Sequence, residues 1–440
     1  MTSSGCAPAR EDQTLCNLPA MHIDAGDTAW VLGSAALVLF MTPGLALFYG
    51  GMVRSKNVLS ILVQNLACIA VVSVVWAVAA YSLAFGPDAG GGFIGTLHLA
   101  GLAHPELAVP GLDLSVPPLA FAAFQMMFAV ITAALLTGTG ADRMHFNGFL
   151  ALAAIWTLVV YAPIAHWVFS PNGWLAQRGV LDFAGGNVVE VDSGASALAL
   201  ALVLGVRRGW PREAMAPHSL PLTVMGAGIL WFGWFGFNAG SALGSSGLAA
   251  QALIGTQLAA CTGVIGWLVV ERWQTGHATT LGAASGAVCG LVAITPACGF
   301  VNSMAAMVIG LVGGVVGVLA VRVKFRFGYD DSLDVVGVHG ACGLAGTLLV
   351  GIFATKAVNG AITHQGLVTG AGPYLLGVQA LALLVTIAWA FTGTWLIAQL
   401  VQRTVGLRVT DAVEVQGLDT AIHAESAYDF ASMRAGQAGF

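Results

Sequence analysis

Apolar residues run along this chain in long stretches separated by short breaks of charge, proline or glycine. A helix needs about 20 mostly apolar residues to cross a bilayer. Eleven such runs are read, near 28–53, 57–85, 117–138, 147–168, 186–206, 220–241, 249–271, 278–297, 300–321, 333–355 and 373–401. The third is the cleanest, with no charge between Asp113 and Asp142. The eighth is the least hydrophobic, being largely Gly, Ala, Ser and Thr. Its Gly282, Gly286 and Gly290 nonetheless recur at i+4, the small-residue spacing that lets membrane helices touch backbone to backbone. Gly310 with Gly314, and Gly313 with Gly317, repeat it in the ninth. The pattern predicts an all-α polytopic membrane protein.

Composition agrees. Of 440 residues, 57% are hydrophobic and 8% charged, and the mean hydropathy is +0.84; soluble proteins carry about 25% charged residues. Such a surface must face lipid. A net charge of −5 offers no basic stripe for nucleic acid. Seven cysteines form no CxxC pair or Cys/His cluster with zinc spacing, so no metal site is expected. There is no nucleotide fingerprint and no nucleophile with a base, so neither an enzyme nor a cofactor is expected.

Orientation follows from the loops. Arg54, Lys56, Arg143, Arg207, Arg208, Arg212, Arg272, Arg322, Lys324, Arg326, Arg403, Arg408 and Arg434 fall on one side, and only Arg10, Arg178 and Lys356 on the other. That places the N-terminus outside and the C-terminus in the cytoplasm, which requires an odd number of spans. Residues 1–27 form a polar external tail without the apolar core of a signal peptide. Its Cys6 and Cys16 lie where a disulfide is permitted. The other five cysteines read as small buried hydrophobes. Residues 28–401 form the membrane domain. Residues 402–440 form a cytoplasmic tail, too short and too poor in hydrophobes for a second domain.

The chain also echoes itself. Asp182 opens DFAGGNVVE, and Glu190 follows eight residues on; Asp331 opens DSLDVVGVHG, and His339 follows at the same interval. Two five-helix sets, about 28–206 and 220–355, each ending in a helix with an ionisable group at matching depth, fit an inverted repeat plus a final helix. Such folds carry substrate near the bilayer midplane at the repeat interface. An Asp at the centre of an isolated span costs at least ~2.5–3.5 kcal/mol, so ionisable groups there usually face a cavity or partner. Taken singly, His339 reads as a packing histidine; Glu190 could snorkel to the interface, but its place four residues into an apolar run, past a Gly-Gly break, argues against that. As a pair they read as a proton-handling couple lining a pore.

Aromatic residues add a second pattern. Phe121, Phe124 and Phe128 share one face of the third run, with Gln125 beside them, and Trp234, Phe237 and Ser241 repeat that spacing on the sixth. Such stripes ordinarily mark core or lipid contact. Beside a lone hydroxyl they also fit a cage for a small cation, since ring faces attract desolvated cations by ~2 kcal/mol or more.

The segments FMTPGLALFYGGMVRSKNVLS, YAPIAHWVF, LDFAGG, GWFGFNAGS, GVHGACG and GLDTAIHAESAY resemble the ammonium transporter (Amt/Mep/Rh) family, on its bacterial Amt branch, over about residues 28–430. The resemblance implies eleven transmembrane helices in two pseudo-symmetric halves, and a homotrimer with one pore per subunit in the cell membrane. It implies a phenylalanine gate at Phe128 and Phe237, a recruitment hydroxyl at Ser241, a pore histidine at His339 and a structural aspartate at Asp182. Two positions depart. Phe169 stands where the recruitment site usually has tryptophan, a better cation binder. Glu190 stands where the motif normally ends in histidine, a glutamate that some fungal members share. Phe124, Gln125 and Trp234 are further pore-lining candidates.

The expected activity is net electrogenic uptake of ammonium, with methylammonium as a substrate analogue: recruitment, deprotonation, passage of ammonia and separate relay of the proton. The alternatives are an ammonium sensor or transceptor and an Rh-like channel for neutral ammonia. The resemblance also implies a PII-type signalling protein as a partner at the tail and cytoplasmic loops.

Overall fold

The computed structural model describes residues 22–428; Cys6, Cys16, Arg10 and Arg434 lie outside the described residues. Eleven apolar helices follow one another: α1 (Ala25–Met52), α2 (Ser55–Phe85), α3 (Pro118–Gly140), α4 (Phe146–Phe169), α5 (Gly186–Leu204), α6 (Leu220–Gly240), α7 (Gly247–Thr275), α8 (Thr280–Ile294), α9 (Ser303–Phe327), α10 (Val336–Phe353) and α11 (Tyr374–Thr404). Ten of them are long and apolar enough to cross a bilayer. The exception is α8, whose 15 residues rise roughly 22 Å against a hydrocarbon core of about 30 Å. Two short helices, α12 (Asp411–Gln416) and α13 (Leu418–His423), follow in the tail. Among the described residues, extended pairing is limited to two isolated bridges, Asp88 with Gly95 and Met144 with Arg408.

The weak hydropathy of α8 has a packing cause. It is buried almost throughout, between α7 and α9. A Cβ at Gly286 or Gly290 would strike the α7 backbone, and one at Gly310 or Gly314 would strike it from α9. A helix sheathed by helices needs small residues more than lipid-soluble ones. The outer faces differ: Leu66, Val74, Phe232, Val269 and Leu384 are exposed, and this apolar exterior suits lipid.

Helix starts follow local chemistry. Asp24, Ser219, Ser246, Thr279 and Asn302 each accept a backbone N–H of the first turn through the side chain, satisfying donors a helix leaves orphaned. The two echoed segments share a further device. Both α5 and α10 open with a π-helical turn, Gly186–Val191 and Val336–Ala341, which contains Glu190 and His339 respectively. Asp182 accepts the N–H groups of Gly185, Gly186, Asn187 and Val188 at 2.6–3.1 Å. Asp331 accepts that of Val336 at 2.7 Å.

At one end of the bundle several of the basic residues read as cytoplasmic, Arg54, Arg143, Arg207, Arg208 and Arg408, gather in an ionic cluster. Arg207 pairs with Asp330 at 2.8 Å and Asp142 at 3.3 Å, and Arg54 pairs with Asp142 at 3.1 Å. Arg143, fully buried, donates to the Asp330 carbonyl and to Ser332. The tail docks on this cluster. Glu414 accepts from the Arg208 N–H and from Arg408, and Asp419 accepts the Leu59 and Ser60 N–H groups at the start of α2.

Candidate functional site

A vestibule of about 140 Å³ is lined by Leu112, Phe121, Gln125, Phe128, Phe169, Phe183, Ser241 and Leu243. Ser241 ends α6 and donates its hydroxyl proton to the Phe237 carbonyl at 2.8 Å. That direction leaves its oxygen lone pairs free to accept from a ligand. Gln125 is 8% exposed, and its Oε1 has no hydrogen-bond partner among the described residues. Two acceptors beside aromatic faces, with no basic side chain in the lining, suit a small cation with N–H donors.

The vestibule ends on two stacked rings. Phe128 and Phe237 lie 4.2 Å apart between centroids, 11° from parallel, and each is 1% exposed. Phe169 meets Phe128 edge-on at 6.5 Å. Phe124 packs against Phe128 at 4.9 Å and lines neither cavity; its place in the aromatic stripe is structural.

Beyond the rings lies a second cavity of about 10 Å³, lined by Met41, Leu45, Phe48, Ile131, Leu135, Val189, Glu190, Leu230, Trp234, Phe237, Val288 and His339. That is room for about one water molecule, too little for a hydrated cation. Trp234 belongs to this inner cavity and not to the outer cage its spacing with Ser241 suggested. Its indole N–H is taken by Thr295 at 2.8 Å, so it presents hydrocarbon to the conduit. The polar exceptions are Glu190 and His339.

Those two side chains meet. His339 Nδ1 lies 2.6 Å from Glu190 Oε2, with side chains 4% and 1% exposed. Their approach is set by glycine contact between α5 and α10. A Cβ on Gly194 would overlap the Gly340 backbone, and one on Gly343 would press on the Glu190 Cβ. A 2.6 Å contact between an imidazole nitrogen and a carboxyl oxygen requires one proton between them. As an ion pair, or as carboxylic acid and neutral imidazole, the couple is neutral overall, which lowers the cost of burying it; as carboxylate and neutral Nδ1–H imidazole it carries one negative charge. Asp182 stands apart from this couple, with its carboxylate committed to the backbone at the start of α5.

One buried acid had escaped the sequence reading. Asp192 is 0% exposed, two residues past Glu190. Ser196 accepts from Trp156 and Thr394, so its own proton points to Asp192 Oδ1 at 3.3 Å. Its place directly after Glu190 in VEVDSG was a signal that the sequence offered. The vestibule residues Leu112, Phe183 and Leu243 lie in or beside loops, where helical periodicity says nothing.

Fold and site together define a polytopic helical membrane protein with a narrow apolar conduit and a cation-suited mouth. Residues 29–428 match the Ammonium Transporter Family. An ammonium transporter of Mycobacterium tuberculosis (strain ATCC 25618 / H37Rv) is 47% identical over 440 residues, covering 94% of this chain and 92% of the relative. The crystal structure of Saccharomyces cerevisiae Mep2 superposes with a TM-score of 0.82 at 36% identity, covering 88% of each chain. A solved structure described as a sensor Amt protein gives a TM-score of 0.83 at 31% identity, over 90% of this chain and 98% of that one. The chain belongs to the ammonium transporter family, whose members are transporters and not enzymes.

Proposed function

We propose that this protein takes up ammonium electrogenically by separating it into ammonia and a proton. The observation that carries this reading is the Glu190–His339 contact in an otherwise apolar cavity behind stacked phenylalanines. Moving a bare cation through such a conduit would cost tens of kcal/mol at low dielectric, whereas neutral ammonia passes without that cost. Ammonium is recruited by Ser241, Gln125 and the faces of Phe128 and Phe169. Beneath the Phe128–Phe237 gate it gives up a proton, through transient water, to the Glu190–His339 couple. Ammonia then crosses the inner cavity, and the proton follows through the Glu190–His339 couple and transient water. Asp182 orients the start of α5 and is not itself in the relay. Methylammonium, with three N–H donors, is the natural analogue.

Recording from protein reconstituted in liposomes tests this. Ammonium should evoke a current of inward positive charge; ammonia flux without current would favour a neutral-gas channel. The 31% likeness to a sensor Amt protein supports a second reading, in which the same conduit reports ammonium to the cytoplasm. Ammonium-dependent signalling that persists in a variant without current would favour it.

The wider organisation belongs to the same reading. We take all eleven apolar helices as spans, α8 being completed by the buried turn at 295–301, with the N-terminus outside, the tail in the cytoplasm and the halves related as inverted repeats. The matched π-helical turns of α5 and α10 support the repeat, and the ionic cluster supports the common side of the basic loops. Cysteine labelling of both tails from one face of the membrane would contradict this topology. The homotrimer, the cell membrane as its site and the PII-type partner rest on the family resemblance. Docking of the tail on the basic loops gives that partner a surface to read. Unchanged binding of a cognate PII-type protein after removal of residues 406–440 would exclude the tail from the interaction.

A further inference from the structure

The turn that carries Ser241 is gripped by the first two turns of α1. Asp27 Oδ1 accepts the Ser245 N–H at 2.8 Å and the Ser245 hydroxyl at 3.2 Å, while Oδ2 accepts the Ser115 hydroxyl. Trp30, one turn on, donates its indole N–H to the Ala239 carbonyl at 3.1 Å. Gly244 lies so close that a Cβ there would stand 3.0–3.1 Å from the Asp27 carboxylate. Ser115 belongs to the segment that supplies Leu112 to the vestibule, and Ser245 to the turn that supplies Ser241 and Leu243. One carboxylate therefore ties two separate parts of the rim together.

The same carboxylate carries charge without a counter-ion. Its electrostatic and hydrogen-bonded neighbours are serine hydroxyls and a backbone N–H; among the described residues no Lys or Arg pairs with it. Accepted hydrogen bonds orient a carboxylate but leave its net charge in place. A fixed negative charge at the rim of a cleft without basic lining raises the local concentration of cations, and salt screens the effect.

We propose that Asp27 is a positioning and charge-steering residue for ammonium recruitment, holding the Ser241 turn and supplying a negative charge at the vestibule rim. This rests on the reading of Ser241 as the recruitment hydroxyl. The substitution Asp27→Asn keeps an acceptor for Ser245 and removes the charge. Ammonium-evoked currents of the reconstituted variant are measured against concentration at low and high ionic strength, with Ser241→Ala alongside. At low ionic strength the half-saturating concentration should rise about two- to fivefold, the range of an exposed charge interaction. Maximal current should stay near wild type, and the shift should shrink in high salt. An unchanged half-saturation, a shift indifferent to salt, or a loss confined to maximal current overturns the proposal. If Asp27→Asn moves the half-saturation and Ser241→Ala does not, the serine reading falls and the charge at the rim stands.

Discussion

His339 Nδ1 and Glu190 Oε2 lie 2.6 Å apart, joining α5 to α10 inside a cavity that is otherwise hydrocarbon. A carboxylate in place of an imidazole changes the electrostatics of this couple. A histidine pair with one shared proton is neutral, and so is a Glu–His pair with one proton when the glutamate carries it. The Glu–His couple can also exist as an internal ion pair, which two imidazoles cannot.

At the mouth, Ser241 has a free lone pair and Phe169 offers a phenyl ring where indole would bind a cation better. Ser241→Ala should raise the half-saturating ammonium concentration by about tenfold or more, since a hydrogen bond to a charged group contributes ~1.5–3 kcal/mol. Maximal current should change less. Phe169→Trp should lower the half-saturation modestly. Concentration–current curves on both variants check this, and no movement in either would place recruitment elsewhere.

The glycine contact between α5 and α10 has no room for a methyl group, because a Cβ on Gly194 runs into the Gly340 backbone. Gly194→Ala should therefore spread the two helices at the level of the couple and cost about 1–3 kcal/mol as an overpacked core does. Lower thermal stability in detergent together with reduced current is expected. Wild-type values of both would show that the helices yield there without consequence.

How far the sequence reached follows the same physics. Hydropathy reports length in lipid, so the ends of α5 and α6 emerged within two residues of 186–206 and 220–241. Spacing from Asp182 and Asp331 brought out Glu190 and His339 because both helices open the same way. Periodicity along one helix could not say what faces it from another. Phe124 and Trp234 thus read as parts of a cage, although one packs behind the gate and the other lines the inner cavity. The tail read as poor in hydrophobes, and it docks through Glu414 and Asp419 on polar partners more than 200 residues away.

At the ionic end, burial alone would raise the pKa of Asp330, but hydrogen bonding to Arg207 and the charges of Arg143 and Arg207 hold it below the usual carboxylate value. A depressed folded-state pKa means stability that is present above the unfolded value near 4 and lost as pH falls through the folded one. Asp330→Asn should destabilise the protein strongly at neutral pH, by about 3–5 kcal/mol, since it leaves buried guanidinium charge unpaired. Thermal unfolding of variant and wild type should converge only in acid well below pH 4. A constant difference from neutral to strongly acidic pH would show that charge is not the cause.

The most direct measurement is ammonium-evoked current in the reconstituted Glu190→Gln variant across pH, with Glu190→His beside it. Glutamine keeps the volume and a hydrogen bond to His339 but cannot carry a proton. The current should fall about tenfold or more, in keeping with the loss of one acid–base group, leaving neutral ammonia flux or a leak of potassium. Glu190→His should transport with a displaced pH profile, because imidazole exchanges protons with a different pKa. Current of wild-type size and pH dependence in Glu190→Gln would contradict the account, reducing Glu190 to a packing residue and leaving the proton without this path.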